Sequence, residues 1–153
     1  MESAKHKEVY FPDVPKYGDL YLDAVLLEFE VVDLMTILRN ERGDYFFCVC
    51  CEIRWEQRWI ISPATWDEIR QFLQNKISAR AFFVQGEKIE VVKNYKSNAK
   101  SYSISLVSAE DIHRDYLPDG DAFLEAETHE WDEYLAKMDV AHMNEWGNHR
   151  KTT

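Results

Sequence analysis

The sequence predicts an α+β domain: an antiparallel, meander-rich sheet with packed helices and a C-terminal acidic amphipathic helix. Three observations carry that expectation. The chain has 153 residues, the usual length of one domain. Hydrophobic residues make up 46% of it and aromatic ones 14%, enough for a packed core and too many for global disorder. Between residues 20 and 61 and again between 88 and 107 the chain offers short β-rich runs separated by turn signals, whereas helical spacing is found near 62–83 and 121–146.

Taken in order, residues 1–19 read as a mobile N-terminal arm, because Pro12, Pro15 and Gly18 discourage regular structure. Residues 20–108 form the α+β core, and 109–149 an acidic helical extension of the same domain. The first strand lies between Leu20 and Val32, where Val25, Leu27, Phe29 and Val31 alternate with Leu26, Glu28 and Glu30. A second runs from Met35 to Arg39. Asn40-Glu41-Arg42-Gly43-Asp44 is a tight turn, with Gly43 free to take a positive φ. The next strand is the clearest: Tyr45, Phe47, Val49, Cys51, Ile53 and Trp55 share one face. Phe46, Cys48, Cys50, Glu52 and Arg54 share the other, and a turn at Glu56-Gln57 leads into Arg58–Ile61.

Ser62-Pro63 offers one helix start and the capping box Thr65–Glu68 another. In either case Trp66, Ile69, Phe72 and Leu73 line an apolar face, and Asn75 ends the helix. Ser78 opens a short second helix with Ala81, Phe82 and Phe83, which Gln85-Gly86 breaks. Lys88–Tyr95 and Lys100–Val107 read as a hairpin around Ser97-Asn98. From Asp121 to Trp146 the positions Leu124, Trp131, Leu135, Met138 and His142 repeat at helical spacing, and Gly147 stops the run.

Charge is concentrated at one end. The formal net charge is −10, and residues 109–149 hold twelve acids against two bases, Arg114 and Lys137. The rest of the chain is neutral. Such a field repels nucleic-acid phosphate and attracts basic partners, acting mainly on the rate of encounter. Trp131, Tyr134 and Trp146, set among Glu127, Glu130, Asp132, Glu133 and Asp139, are the expected partner-binding residues: aromatic anchors ringed by carboxylates.

No residue pattern supports catalysis. Ser62 has no G-x-S-x-G setting and no glycine-rich loop cradles phosphate. His129, His142 and Glu145 share the last helical stretch, but a metal site needs further convergent ligands, so no metal and no cofactor are expected. His113, among Glu110, Asp111 and Asp115, reads as a surface histidine. Cys48, Cys50 and Cys51 form C-x-C-C inside one apolar strand, which makes no disulfide framework and reads as buried thiols in a reduced, cytoplasmic setting. No apolar run reaches the roughly 18 residues that cross a bilayer, and the start lacks the apolar region of a signal peptide.

Over about residues 20–92 the order of features resembles a family of small bacterial domains of unknown function. The shared features are an opening β run (Leu22–Val31), then Leu34-Met35-Thr36-Ile37-Leu38, then Arg42-Gly43-Asp44-Tyr45-Phe46. Trp59-Ile60-Ile61-Ser62-Pro63 leads to the helix, and Ile77-Ser78-Ala79-Arg80-Ala81-Phe82 follows. The chain departs from that family at Val32-Asp33-Leu34, which lacks the proline of its Asp-x-Pro. The resemblance implies a fold and brings no activity; by analogy, such proteins accompany toxins or phage-defence systems.

The expected function is therefore that of a non-catalytic acidic interaction protein. It neutralises or regulates a basic protein partner, as an immunity protein, antitoxin or phage-defence factor does, without nucleic acid or membrane. The alternative is a small-molecule or nucleotide sensor with a pocket between sheet and helices, using Lys88, Lys93 and Arg80.

Overall fold

The computed structural model describes residues 8–54, 56–94 and 102–151, the side chains of 143–151 excepted. Among the described residues seven strands form one antiparallel sheet, each beside its neighbour in the chain. They are β1 (Val9–Val14), β2 (Gly18–Phe29), β3 (Val32–Arg39), β4 (Tyr45–Glu52), β5 (Glu56–Ala64), β6 (Glu87–Asn94) and β7 (Ser103–Ser108). Helix α1 (Trp66–Leu73) and a 3-10 turn at Ala79–Phe83 follow β5, and α2 (Asp132–Lys151) ends the chain. No helix among the described residues is long and apolar enough to cross a membrane.

The sheet is nearly closed, and one side chain shows how. Phe11 of β1 packs edge-on against Trp59 of β5 (5.0 Å) and Tyr102 before β7 (5.5 Å), so the first strand lies over the last. Phe11, Leu20, Phe46, Cys48, Ile61 and Ile89 fill the interior of that curl. The outer face carries Ile37, Tyr45, Phe47 and Ile60, and helices cover it with Ile69, Phe72, Phe82, Leu135 and Met138. β4 explains the arrangement: alternate residues point to opposite faces, both faces are buried, and Tyr45 to Cys50 therefore read as an unbroken apolar run.

Residues 9–14, expected within a mobile arm, are instead strand β1. Phe11 and Val14 are 1% and 2% exposed, so burial of these side chains outweighs the prolines. Pro12, which has no N–H to donate, is tolerated because β1 is an edge strand with no second neighbour whose acceptor would go unpaired. Tyr17 N–H donates to Val14 O (3.1 Å), and Gly18 takes φ +77°, closing the hairpin to β2.

Three further boundaries differ from expectation. Glu56 and Gln57, expected in a turn, are instead the first residues of β5 and pair with Asn94 and Lys93. Arg58 explains the shift, since it bridges Glu56 (2.7 Å) and Glu90 (2.8 Å) across β5 and β6. The helix begins at Trp66, not at Ser62-Pro63, because Ser62 and Pro63 stay paired to Phe47 and Phe46 in the sheet. Thr65 caps it: its side chain accepts from Glu68 N–H (3.1 Å), and Glu68 accepts from Thr65 N–H (2.9 Å). Thr65→Ala is expected to cost about 1 kcal/mol in urea unfolding, and a change near zero would remove the cap from the account.

The third difference is the C-terminal segment, where helix starts at Asp132 rather than Asp121 and continues through Gly147. Residues 119–131 instead form a strap held across the end of α1. Asn75, itself at φ +60°, donates to Ala126 O and accepts from Ala126 N–H, both at 2.9 Å. Ala79 N–H donates to Ala122 O (2.8 Å), while Glu125 and His129 take positive φ that no helix allows. β6 and β7 pair as Ile89 with Leu106 and Val91 with Ile104; their Ser97-Asn98 turn lies outside the described residues.

Candidate functional site

The acidic end of the chain is a surface. Every one of the ten carboxylates from Glu110 to Glu133 is exposed. Among the described residues none of the ten pairs with lysine or arginine; Asp115 meets His113 (3.6 Å) and Asp132 meets His129 (2.5 Å). Glu130 accepts Glu127 N–H (3.0 Å), which shapes the last turn before α2. Glu127, Glu130, Asp132 and Glu133, four of the residues expected to bind a partner, thus stand together in solvent.

Three others are turned inward. Trp131 packs on the outer-face core and lies edge-on to Tyr134 at 6.0 Å. Tyr134 donates its hydroxyl to Asp23 of β2 (2.5 Å); burial, then the Asp23 hydrogen bond, raises its pKa far above the ordinary value. Asp139 accepts from Trp66 Nε1 (2.9 Å) and pairs with Arg70. Trp131, Tyr134 and Asp139 fasten α2 to the domain and are not free anchors, because the helix must bury an apolar stripe to stay on the sheet. Trp146 is on α2, but its side chain is outside the described residues.

Beside this fastening the structure opens a cleft of about 390 Å³ between sheet and helices, and its lining includes none of Lys88, Lys93 and Arg80. Tyr45, Phe46 and Ala64 form its floor, Tyr17, Trp66 and His142 its walls, and Gly43, Asp44 and Thr65 its rim. His142 brings the elements together: its Nε2 lies 2.8 Å from the Tyr45 hydroxyl, and its ring stacks on Trp66 at 5.4 Å. Cations of the chain already sit on two of these rings, Arg39 over Tyr45 (4.4 Å) and Lys16 over Tyr17 (5.6 Å).

The residues of the alternative reading do not converge. Lys88 is buried with its Nζ donating to Ser62 Oγ (2.9 Å), Lys93 lies over Tyr102 (5.8 Å), and Arg80 is exposed. Burial lowers the Lys88 ammonium pKa, against the opposing field of Glu68. His129 and His142 lie apart, at the exposed approach to α2 and in the cleft, and the Glu145 side chain is outside the described residues. No group of three His, Cys, Asp or Glu among the described residues is placed to hold a metal ion.

Cys48 and Cys50 face the curled interior, and Cys51 packs towards the helices past a bulge between Cys50 and Glu52. Burial raises all three thiols, Cys51 up to about 12 from an ordinary 9.0. Tyr10 is raised in the same way, by burial and by the negative groups beside it. Two results are expected. At pH 8 iodoacetamide should alkylate native Cys51 at least ~100-fold more slowly than the urea-unfolded thiol, since the rise to about 12 removes roughly a thousandfold of its thiolate, and Cys48 and Cys50 should be slowed in the same direction. Stability should be full below pH 9 and fall above it, because the unfolded chain releases thiol and tyrosine protons that the fold retains. Lys88, whose pKa is lowered, acts in the opposite sense. Rapid native alkylation, or a flat stability profile from pH 8 to 11, would contradict this burial.

The chain matches no family model, no curated protein and no solved structure.

Proposed function

We propose that this chain is a non-catalytic interaction protein that neutralises or regulates a basic protein partner, in the manner of an immunity protein, an antitoxin or a phage-defence factor. The observation that supports it is the set of ten exposed carboxylates from Glu110 to Glu133, none matched by a lysine or arginine among the described residues. Uncompensated charge of one sign costs self-repulsion, and a complementary partner relieves it while gaining a faster encounter. In this reading the meander is a platform, and the acidic approach to the C-terminal helix is its working edge. Three free thiols suit a reducing cytoplasm.

The test is a pull-down from the native host at low salt and again near 0.5 M, where charges are screened within about 4–5 Å. One basic protein is expected, retained at low salt and weakened at high salt. Reversing Glu110, Asp119, Asp121, Glu125, Glu127 and Glu133 to lysine should reduce its affinity at least tenfold and flatten the salt dependence. Unchanged binding and unchanged salt dependence in that variant would end the proposal.

A further inference from the structure

We infer that the cleft between Tyr17, Trp66 and His142 receives an arginine side chain of the basic partner. This rests on the function proposed above and names a contact within it. About 390 Å³ lies at the small end of ligand-sized clefts (~300–1,000 Å³), which suits one long side chain better than a folded surface. Five of its lining residues are aromatic rings, Tyr17, Tyr45, Phe46, Trp66 and His142, and such rings attract cations. The chain's own Arg39 shows what this cluster accepts, with its guanidinium 4.4 Å from the centre of the Tyr45 ring. The charged group among the lining residues is the Asp44 carboxylate, half-exposed at the rim. Its Oδ2 pairs with the exposed Arg42 (3.4 Å) and accepts from Asn40 Nδ2 (2.9 Å), so a second guanidinium shares a carboxylate that is half-exposed and already engaged on one oxygen.

An anion is the poorer occupant. Asp67 and Glu68 fill the first turn of α1 beside Thr65 and Trp66 and oppose negative charge at that helix end. Arginine is favoured over lysine because its guanidinium is planar and weakly hydrated, so it stacks on aromatic faces and donates to Asp44 at once. The distance also fits. Ten helical residues separate Asp132 from His142, about 15 Å along α2, so one partner spans the acidic strap and the cleft together. Trp146 follows His142 by four positions on the same helix.

The experiment uses two nine-residue peptides in a Gly/Ser background, one carrying four arginines and the other four lysines. Both are titrated into the full chain by calorimetry at one low salt concentration. The Trp66 indole N–H resonance is followed by NMR and assigned with Trp66→Phe. The arginine peptide is expected to bind at least tenfold more tightly and to shift the Trp66 resonance. Tyr17→Ser and Asp44→Asn should bring it down to the lysine peptide's affinity, and the six-carboxylate reversal should weaken both peptides alike. Asp44→Asn keeps the shape of an exposed side chain, so the result survives if Tyr17→Ser unfolds. Equal affinities that still depend on the strap, with Trp66 unmoved, would overturn the cleft and leave the proposed function standing. Failure of both peptides to bind would overturn the proposed function and the cleft with it.

Discussion

Phe47→Ala should lower the unfolding free energy by about 3–5 kcal/mol, the largest loss expected from any single truncation in this chain. Phe47 is fully buried on the outer face of β4. Its ring stacks on Phe82 at 4.2 Å, meets Phe72 edge-on at 4.9 Å and reaches Phe83 at 6.0 Å. Removing it deprives both helical segments of the surface on which they sit, and a rigid sheet cannot collapse into the space. Typical domains have only about 5–15 kcal/mol in hand, so urea unfolding should show a clear shift in midpoint. Phe29→Ala, at a ring that is 59% exposed, is the control and should change stability by less than about 0.5 kcal/mol. A Phe47→Ala loss under ~1 kcal/mol would mean that the helices do not cover this face.

Phe11→Ala should be nearly as costly, again about 3–5 kcal/mol, and separates the observed fold from one with a loose N-terminal arm. An arm residue would show almost no effect. Phe11 instead plugs the seam of the curled sheet between Trp59 and Tyr102, with Tyr10 edge-on beside it at 4.9 Å. For a chain of this length the loss corresponds to a fall in Tm of roughly 6–20 °C. Near-UV circular dichroism should change at the same time, because the environment of Trp59 goes with it.

Where sequence and structure agree, the agreement comes from local chemistry. The alternation in β4, the Gly43 turn and the Thr65–Glu68 cap each depend on neighbours in the chain, and each is legible there. The failures are tertiary. Nothing near Pro12 reveals that Trp59 awaits Phe11 from 48 residues away. Nothing near Glu125 reveals that Asn75 will hold Ala126 and forbid a helix whose apolar spacing is otherwise sound. The same holds for the candidate site. Exposed carboxylates are legible because acids rarely bury. The division of the aromatic residues between docking and display is not, since Trp131 and Tyr134 carry the same spacing in either role. The ring cleft is assembled from the β1–β2 and β3–β4 turns, β4, β5, α1 and α2, and short-range patterns do not name its lining.

The order of the strands has a kinetic consequence. Each strand pairs with the next, so the sheet from β1 to β5 is assembled from hairpins whose loops are short and whose closure costs little entropy, while α1 and the 3-10 turn intervene between β5 and β6. Among the described residues several seams join distant parts of the chain, including Phe11 to Tyr102 across the curl, Tyr134 to Asp23 across 111 residues and Tyr45 to His142 across 97. Pairing of chain neighbours favours early formation of the central hairpins, and these long-range seams close last. The contacts that hold β1 and α2 in place are thus the parts added at the end of folding. In native-state hydrogen exchange they open first, while β3, β4 and β5 stay protected until the whole sheet unfolds.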